Sequence, residues 1–240
     1  MELRYLNCAV LISIVFCTNA DLSDLLPYGS EVGDQLGNLQ LTSPEAECAN
    51  DIEIIHYGEI SYRYYDSQCN EVSEIYFRSV NSELTQTDKG MVYGRFVNDD
   101  ATLRGIYSIM GEQYCGNNDW VFMGTWVGIE VVGMSGSSTH QTVVVKQRDL
   151  FYAIYIIGEV SLDLSEPYLF VGNVFFFDVV SGLMSYFIYE NMGFNKTDYL
   201  INSNVGRPGV YLLEVGNRTV SLPGAQIPNG LFCQNEEETG

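Results

Sequence analysis

Two histidines, a serine-rich loop and 31 carboxylates are the side chains of this 240-residue sequence best suited to catalysis. His140 closes the stretch GMSGSSTH, residues 133–140, where serines beside an imidazole suggest nucleophilic acyl transfer. The spacing argues otherwise, because a nucleophile elbow needs Gly-x-Ser-x-Gly and Ser137 stands where the second glycine belongs. His140 is therefore expected as an exposed loop residue, and His56, in a strand-like segment, as a satisfied or surface imidazole. The carboxylates select no acid–base pair, since any fold would bring some of them within glycosidase distance. A secreted hydrolase working with paired carboxylates would show a deep cleft with two facing acids of shifted pKa. No GxGxxG after a strand, no P-loop and no HExxH occurs, so no catalytic residue and no cofactor is assigned.

Metal chemistry has little more to work with. VNDDAT (97–102) and GNNDW (116–120) gather the oxygen side chains that calcium uses, but neither has the EF-hand alternation with its glycine and distal glutamate. Asn and Asp are also ordinary turn residues that cap local backbone groups. The cysteines show no CxxC spacing and the histidines number two, so no metal site is assigned.

The N-terminus supplies the address. Arg4 precedes an apolar run, YLNCAVLISIVFC at 5–17, and Thr18, Asn19 and Ala20 then place small residues before Asp21. The run is shorter than the about 20 apolar residues a spanning helix takes, and the order of its parts is that of a signal peptide, 1–20, cleaved after Ala20. A secreted chain of about 220 residues suffices for one full core. It keeps Cys48, Cys69, Cys115 and Cys233, an even set in an oxidising compartment that implies two disulfides with three possible pairings. A local Cys48–Cys69 loop with a long-range Cys115–Cys233 tie is the expected arrangement. Asn195 and Asn217 open sequons without proline and are expected glycosylation sites on surface turns.

Removing Glu2 and Arg4 with the signal leaves 30 acidic against 10 basic residues, so the net charge stays at −20. Such a balance excludes nucleic acid and anionic membrane surfaces as partners, since both want a basic patch. The acidic end, 234–240, is expected to be a solvated, disordered tail.

The elements that position these residues read as strands. IEIIHYGEISYRYY (52–65), EVSEIYFRSV (71–80), MVYGRFV (91–97) and DWVFMGTWVGIEVV (119–132) are rich in Val, Ile, Tyr and Phe, with turn residues between them. QTVVVKQR (141–148) and LFYAIYIIGEV (150–160) read as successive strands hinged near Arg148–Asp149. YLFVGNVFFFDVVSGLMSYFIY (168–189) is long enough to cross a bilayer, but Asn173, Asp178, Gly172 and Gly182 interrupt it; two buried strands joined near Ser181–Gly182 are expected, and no membrane insertion. No sustained 3.6-residue stripe stands out, so helix is expected to be minor. The fold class is mainly β, an antiparallel β-sandwich-like domain over 21–233, stabilised by disulfides.

NSNVGRPGVYLLEVGN, residues 202–217, reads as the closing corner of that sheet. Gly206 and Gly209 tolerate backbone angles other residues resist, and Pro208 fixes its own φ, so a stiff turn feeds Val210 to Val215 into a final strand. Together with LLPYGSEVGD (25–34), GTWVGIEVVGM (124–134), HQTVVVKQRDLFYAIYIIGEVSL (140–162), NMGFN (191–195) and SNVGRPGVYLLEVG (203–216), this corner resembles the nidogen-like extracellular (NIDO) domain, with the motifs in the family's order. The resemblance is clearest over 25–34 and 119–216; between 40 and 110 the family's usual asparagine-rich turn and Pro-Phe-Trp-Ala segment are missing. It implies a secreted, non-catalytic module that binds an extracellular protein or matrix component in cell–matrix adhesion, and it supplies no catalytic residues. Tyr62, Tyr64, Tyr65 and Tyr114 are the candidate aromatic anchors. The rivals are the carboxylate-dependent hydrolase and a structural or effector protein that self-associates through an edge strand.

Overall fold

The computed structural model describes residues 25–36, 39–42, 51–55, 58–65, 68, 70–82, 89–111, 120–148, 150–162, 169–187, 200–216 and 219–222. Outside them lie residues 1–20, the tail 234–240, Cys48, Cys69, Cys115, Cys233, Asn195, Asn217, His56 and Tyr114.

The strands are β1 (Gln35–Leu36), β2 (Leu39–Thr42), β3 (Asp51–Ile55), β4 (Glu59–Tyr65), β5 (Glu71–Ser82), β6 (Met91–Phe96), β7 (Trp120–Ile129), β8 (Ser138–Gln147), β9 (Leu150–Val160), β10 (Leu169–Asp178), β11 (Leu183–Phe187), β12 (Val210–Gly216) and β13 (Thr219–Ser221). A helix, α1 (Asp100–Ile109), stands between β6 and β7. Every pairing is antiparallel. One sheet has seven strands in the order β1-β6-β7-β8-β9-β12-β13, and the other has six in the order β11-β10-β5-β4-β3-β2. The mainly β, two-sheet architecture expected from the sequence is the one observed, and β9 spans the residues expected of it. IEIIHYGEISYRYY holds two strands rather than one, folded at Gly58.

Alternation along the strands explains both layers of packing. Ile52, Ile54, Ile60, Tyr62, Ile75 and Phe77 of the six-stranded sheet meet Trp120, Phe122, Trp126, Phe151, Tyr155 and Leu213 of the seven-stranded one in the inter-sheet core. A Cβ on Gly124 would stand 2.6 Å from Ile54 Cδ1 and 2.8 Å from the Trp126 ring, so any side chain there would force the core to shift. The intervening residues Met123, Val143, Tyr152, Ile154 and Leu212 point the other way, into a second cluster with Leu103, Ile106 and Tyr107 of α1 and its C-cap, Met110. The central strands β7, β8, β9 and β12 are therefore dry on both faces. That is why FYAIYII reads as a continuous apolar run instead of alternating.

Helix is minor, as expected, but α1 does carry a stripe of helical spacing that does not stand out in the sequence. Leu103, Ile106, Tyr107 and Met110 recur at helical spacing and are all buried. Asp99 of the supposed calcium stretch VNDDAT is the helix N-cap, its carboxylate accepting from Thr102 N at 2.8 Å. Burial alone would raise its pKa, but the Thr102 hydrogen bonds and the Arg95 charge lower it.

Residues 25–34 share that second face. Leu25 and Leu26 close against Gly158 and Gly105, where a Cβ would stand 3.2 and 3.3 Å from a leucine carbon. Gln141, fully buried, accepts from Leu26 N at 2.8 Å and donates to Leu26 O at 2.9 Å, pairing with the segment as a neighbouring strand would. Arg95 Nη1 donates to Asp34 Oδ1 at 2.5 Å, and Nη2 to the Pro27 carbonyl at 3.2 Å. The second Asp34 oxygen accepts from Gly29 N at 2.6 Å.

The corner at 203–209 has a specific task. Ser203 Oγ accepts from Val205 N and Arg207 N and donates to Val210 O, while the Asn204 amide exchanges two hydrogen bonds with Leu212 N and O. β13 covers β12 only from Glu214 to Gly216, so Ser203 and Asn204 satisfy the edge groups that β13 leaves open. Gly206 and Gly209 hold φ of 76° and 72°, as the turn requires. β12 is not the final strand expected, because β13 follows it.

Replacing Asp34 by alanine strands Arg95 in a dry layer, and urea unfolding should show a loss of about 3–5 kcal/mol. A loss below about 1 kcal/mol, the scale of an exposed ion pair, would contradict this account of the Arg95 layer.

Candidate functional site

His140 lies where the sequence did not place it. It belongs to β8 rather than to an exposed loop, is 0 % exposed, and stacks on Trp126 with ring centroids 5.2 Å apart and planes 16° from parallel. Burial pushes its pKa down to about 3, so the ring is neutral, and neither nitrogen has a hydrogen-bond partner among the described residues. Both neighbouring pairings are bulged beside it, between Trp126 and Ile129 and between Thr139 and His140. A neutral, sealed imidazole has no access to a substrate proton, and its position is that of a core residue.

The carboxylates form a structural ladder on the six-stranded sheet. Arg63 binds Glu53 at 2.6 Å and also Glu74, and Arg78 binds Glu59 across β4 and β5. Burial raises the Glu59 carboxyl above its usual range, against the opposing pull of Arg78. Tyr76 donates to Glu74, and its own pKa is pushed upward by burial and then by that carboxylate. No group of three or more His, Cys, Asp or Glu suited to a metal ion occurs among the described residues.

A cleft of about 590 Å³ opens at the end of the sandwich where β4 and β10 finish and β5 begins. Tyr64, Tyr65, Phe176 and Phe177 supply its aromatic lining, with Glu74 and Lys146 as its charges. Of the four tyrosines expected as anchors, Tyr64 and Tyr65 meet here. Tyr62 does not, being 1 % exposed and wedged between Trp120, Phe151 and Tyr64 at centroid distances of 5.4, 5.1 and 4.7 Å. A β-bulge between Tyr64 and Tyr65 separates their roles. Tyr64 packs edge-on against Phe151, while the Tyr65 hydroxyl donates to Asp51 at 3.0 Å. Burial raises the Tyr65 pKa, and Asp51 adds to the shift. The hydrolase reading asks for two facing acids; Glu74 is the one carboxylate among the described lining residues, and Arg63 and Tyr76 engage its oxygens.

Phe176 and Phe177 were visible in the sequence only as part of a long apolar run. That run forms β10 and β11 joined by the turn at 179–182, as expected, although β11 is an edge strand with Leu183 exposed rather than buried. No helix among the described residues is long and apolar enough to cross a membrane. No family model matches the chain, nor does any curated protein or solved structure.

Burial of neutral His140 has a measurable consequence. Above pH 6.5 it is neutral in both folded and unfolded chains; as the pH falls from 6.5 toward 3 only the unfolded chain gains the proton. Through that window stability should decline by about 1.4 kcal/mol per pH unit on this account. Urea titrations from neutral pH to about 4.5 should give a flatter pH dependence for His140→Leu than for the parent. Parallel curves would show that the imidazole protonates freely in the folded state.

Proposed function

We propose that the protein is a secreted, disulfide-stabilised and glycosylated module of the nidogen-like type. It acts by binding an extracellular protein or matrix component in cell–matrix adhesion, without catalysis. The signal-like segment 1–20, the sequons at Asn195 and Asn217 and the even set Cys48, Cys69, Cys115 and Cys233 support the address. The resemblance over 25–34 and 203–216 supports the type, and both stretches serve the seven-stranded sheet, one on its face and one on its edge.

The observation that carries the binding role is the aromatic-lined cleft at the sandwich end. Rings held rigidly beside charged groups supply contact area at little entropic cost, which is how tyrosine-rich recognition surfaces work. Secreted, glycosylated protein immobilised on beads and exposed to matrix extract should capture a saturable partner, with calcium or with chelator alike. Tyr65→Ala combined with Phe177→Ala should abolish capture without unfolding the sandwich. Turnover of matrix polymer by the purified protein, or retention of the chain in the cytosol with reduced thiols, would defeat this assignment.

A further inference from the structure

The cleft has an apolar neighbour. The β10–β11 turn is closed by Asp178, whose carbonyl accepts from Gly182 N at 2.8 Å and whose carboxylate accepts from Ser181 N at 2.9 Å. It is tied to β5 by Val179 N donating to Val72 O at 3.1 Å. These bonds use backbone and Asp178 alone, so nothing in the turn requires Val179 or Val180 to be apolar. Yet Val180 is 81 % exposed and Leu183 64 %, where turns ordinarily carry Gly, Asn, Asp or Ser. Val72 also lines the cleft, so the exposed tip adjoins the cleft lining through this residue.

Its electrostatics select an occupant. Glu71 is the register partner of Tyr65, Glu74 that of Phe177, Asp178 that of Ser73, and Asp51 holds the Tyr65 hydroxyl. Against these acids stand Arg63, committed to Glu53 and Glu74, and Lys146 on the wall formed by the other sheet, 5.3 Å from the Phe151 ring centroid. Even with Glu74 taken up by Arg63, Glu71, Asp51 and Asp178 leave the side facing Tyr65 and Phe177 both aromatic and acidic, in a chain of net charge −20. Ring faces and carboxylates attract the same kind of group, a desolvated cation.

We propose that the cleft and the valine tip form one docking surface for an extended cationic peptide segment. Its aliphatic side chains would lie against Val179, Val180 and Leu183, and a lysine or arginine over the rings of Tyr65 and Phe177. The proposal rests on the recognition role given above to the cleft and adds the chemistry of the partner.

The test uses the mature glycosylated protein and a fluorescein-labelled peptide, Lys-Val-Arg-Leu-Lys-Val-Arg-Gly, in an anisotropy titration. A second peptide carries Glu at each basic position. The basic peptide should bind, weakening as salt is raised, and the acidic one should not. Val180→Ser removes apolar contact without adding charge and should weaken binding about fivefold. Glu71→Lys reverses one rim charge and should weaken it about tenfold. Both positions are on the surface, and circular dichroism melts matching the parent would exclude unfolding as the cause. Equal binding of the two peptides, no binding of either, or unchanged affinity in both variants would overturn the proposal. So would sedimentation showing that the parent self-associates and Val180→Ser does not, since the occupant would then be a second copy. Matrix capture that survives Val180→Ser and Glu71→Lys while the peptide fails to bind would leave the adhesion role standing and remove only this partner chemistry.

Discussion

The fold depends on keeping both faces of the central strands of the seven-stranded sheet out of water. One face is covered by the six-stranded sheet, but the other needs a lid, and the chain supplies it in two pieces, α1 and residues 25–34. Neither piece belongs to the β ladder, so apart from the two bonds Gln141 makes to Leu26 they lack the ladder bonds that register strands. Arg95 does so by ion pairing. From β6 it reaches Asp34 and the Pro27 carbonyl on one side and Thr102 and Asp99 at the head of α1 on the other. Burying a charge is costly unless its partners are in place. The guanidinium therefore penalises every arrangement in which either piece of the lid is absent or shifted.

What the sequence revealed follows from which forces are local. Strands β5 to β9 were legible because their Val, Ile, Tyr and Phe residues recur between turn residues, and the two-residue hinge at 148–149 fits the left-handed φ of 52° at Arg148. The helix was missed because its stripe is ten residues long and begins in Asn-Asp-Asp, which reads equally as turn, metal cluster or cap. Its covering role is set by a sheet face formed from residues far along the chain. His140 was misplaced for a related reason. Its flanking Gly and Ser residues signal a loop, but strand β8 starts at Ser138, and the Trp126 ring that shelters the imidazole comes from another strand. Neither the burial of Tyr62 nor the presence of Tyr65 and Phe177 in one cleft lining is encoded in spacing, since each depends on sheet pairing.

The distribution of charge has a similar logic. Among the described residues, Arg63, Arg78, Lys89, Arg95 and Arg104 are held in ion pairs with carboxylates. Two of those arginines serve the ladder across β3, β4 and β5, where opposite charges face each other on neighbouring strands and contribute modestly to pairing. With so many cations neutralised at short range, the long-range field is left to the surplus acids. Structural pairing and an anionic surface are consequences of one composition.

The cleft inherits its stiffness from the core beneath it. Tyr62 and Phe151 touch each other and each touches both Trp120 and Tyr64, a chain of aromatics running from the inter-sheet core to the cleft lining. The bulge after Tyr64 then changes the register so that the next residue, Tyr65, leaves this chain and is held by Asp51 instead. Tyr64, fixed by packing, and Tyr65, tethered by a hydrogen bond, have little rotamer freedom left to lose when a partner arrives. Lower ordering cost converts a larger share of contact energy into affinity. A single irregularity in the β4–β5 ladder thus joins the part of the molecule built for stability to the part available for recognition.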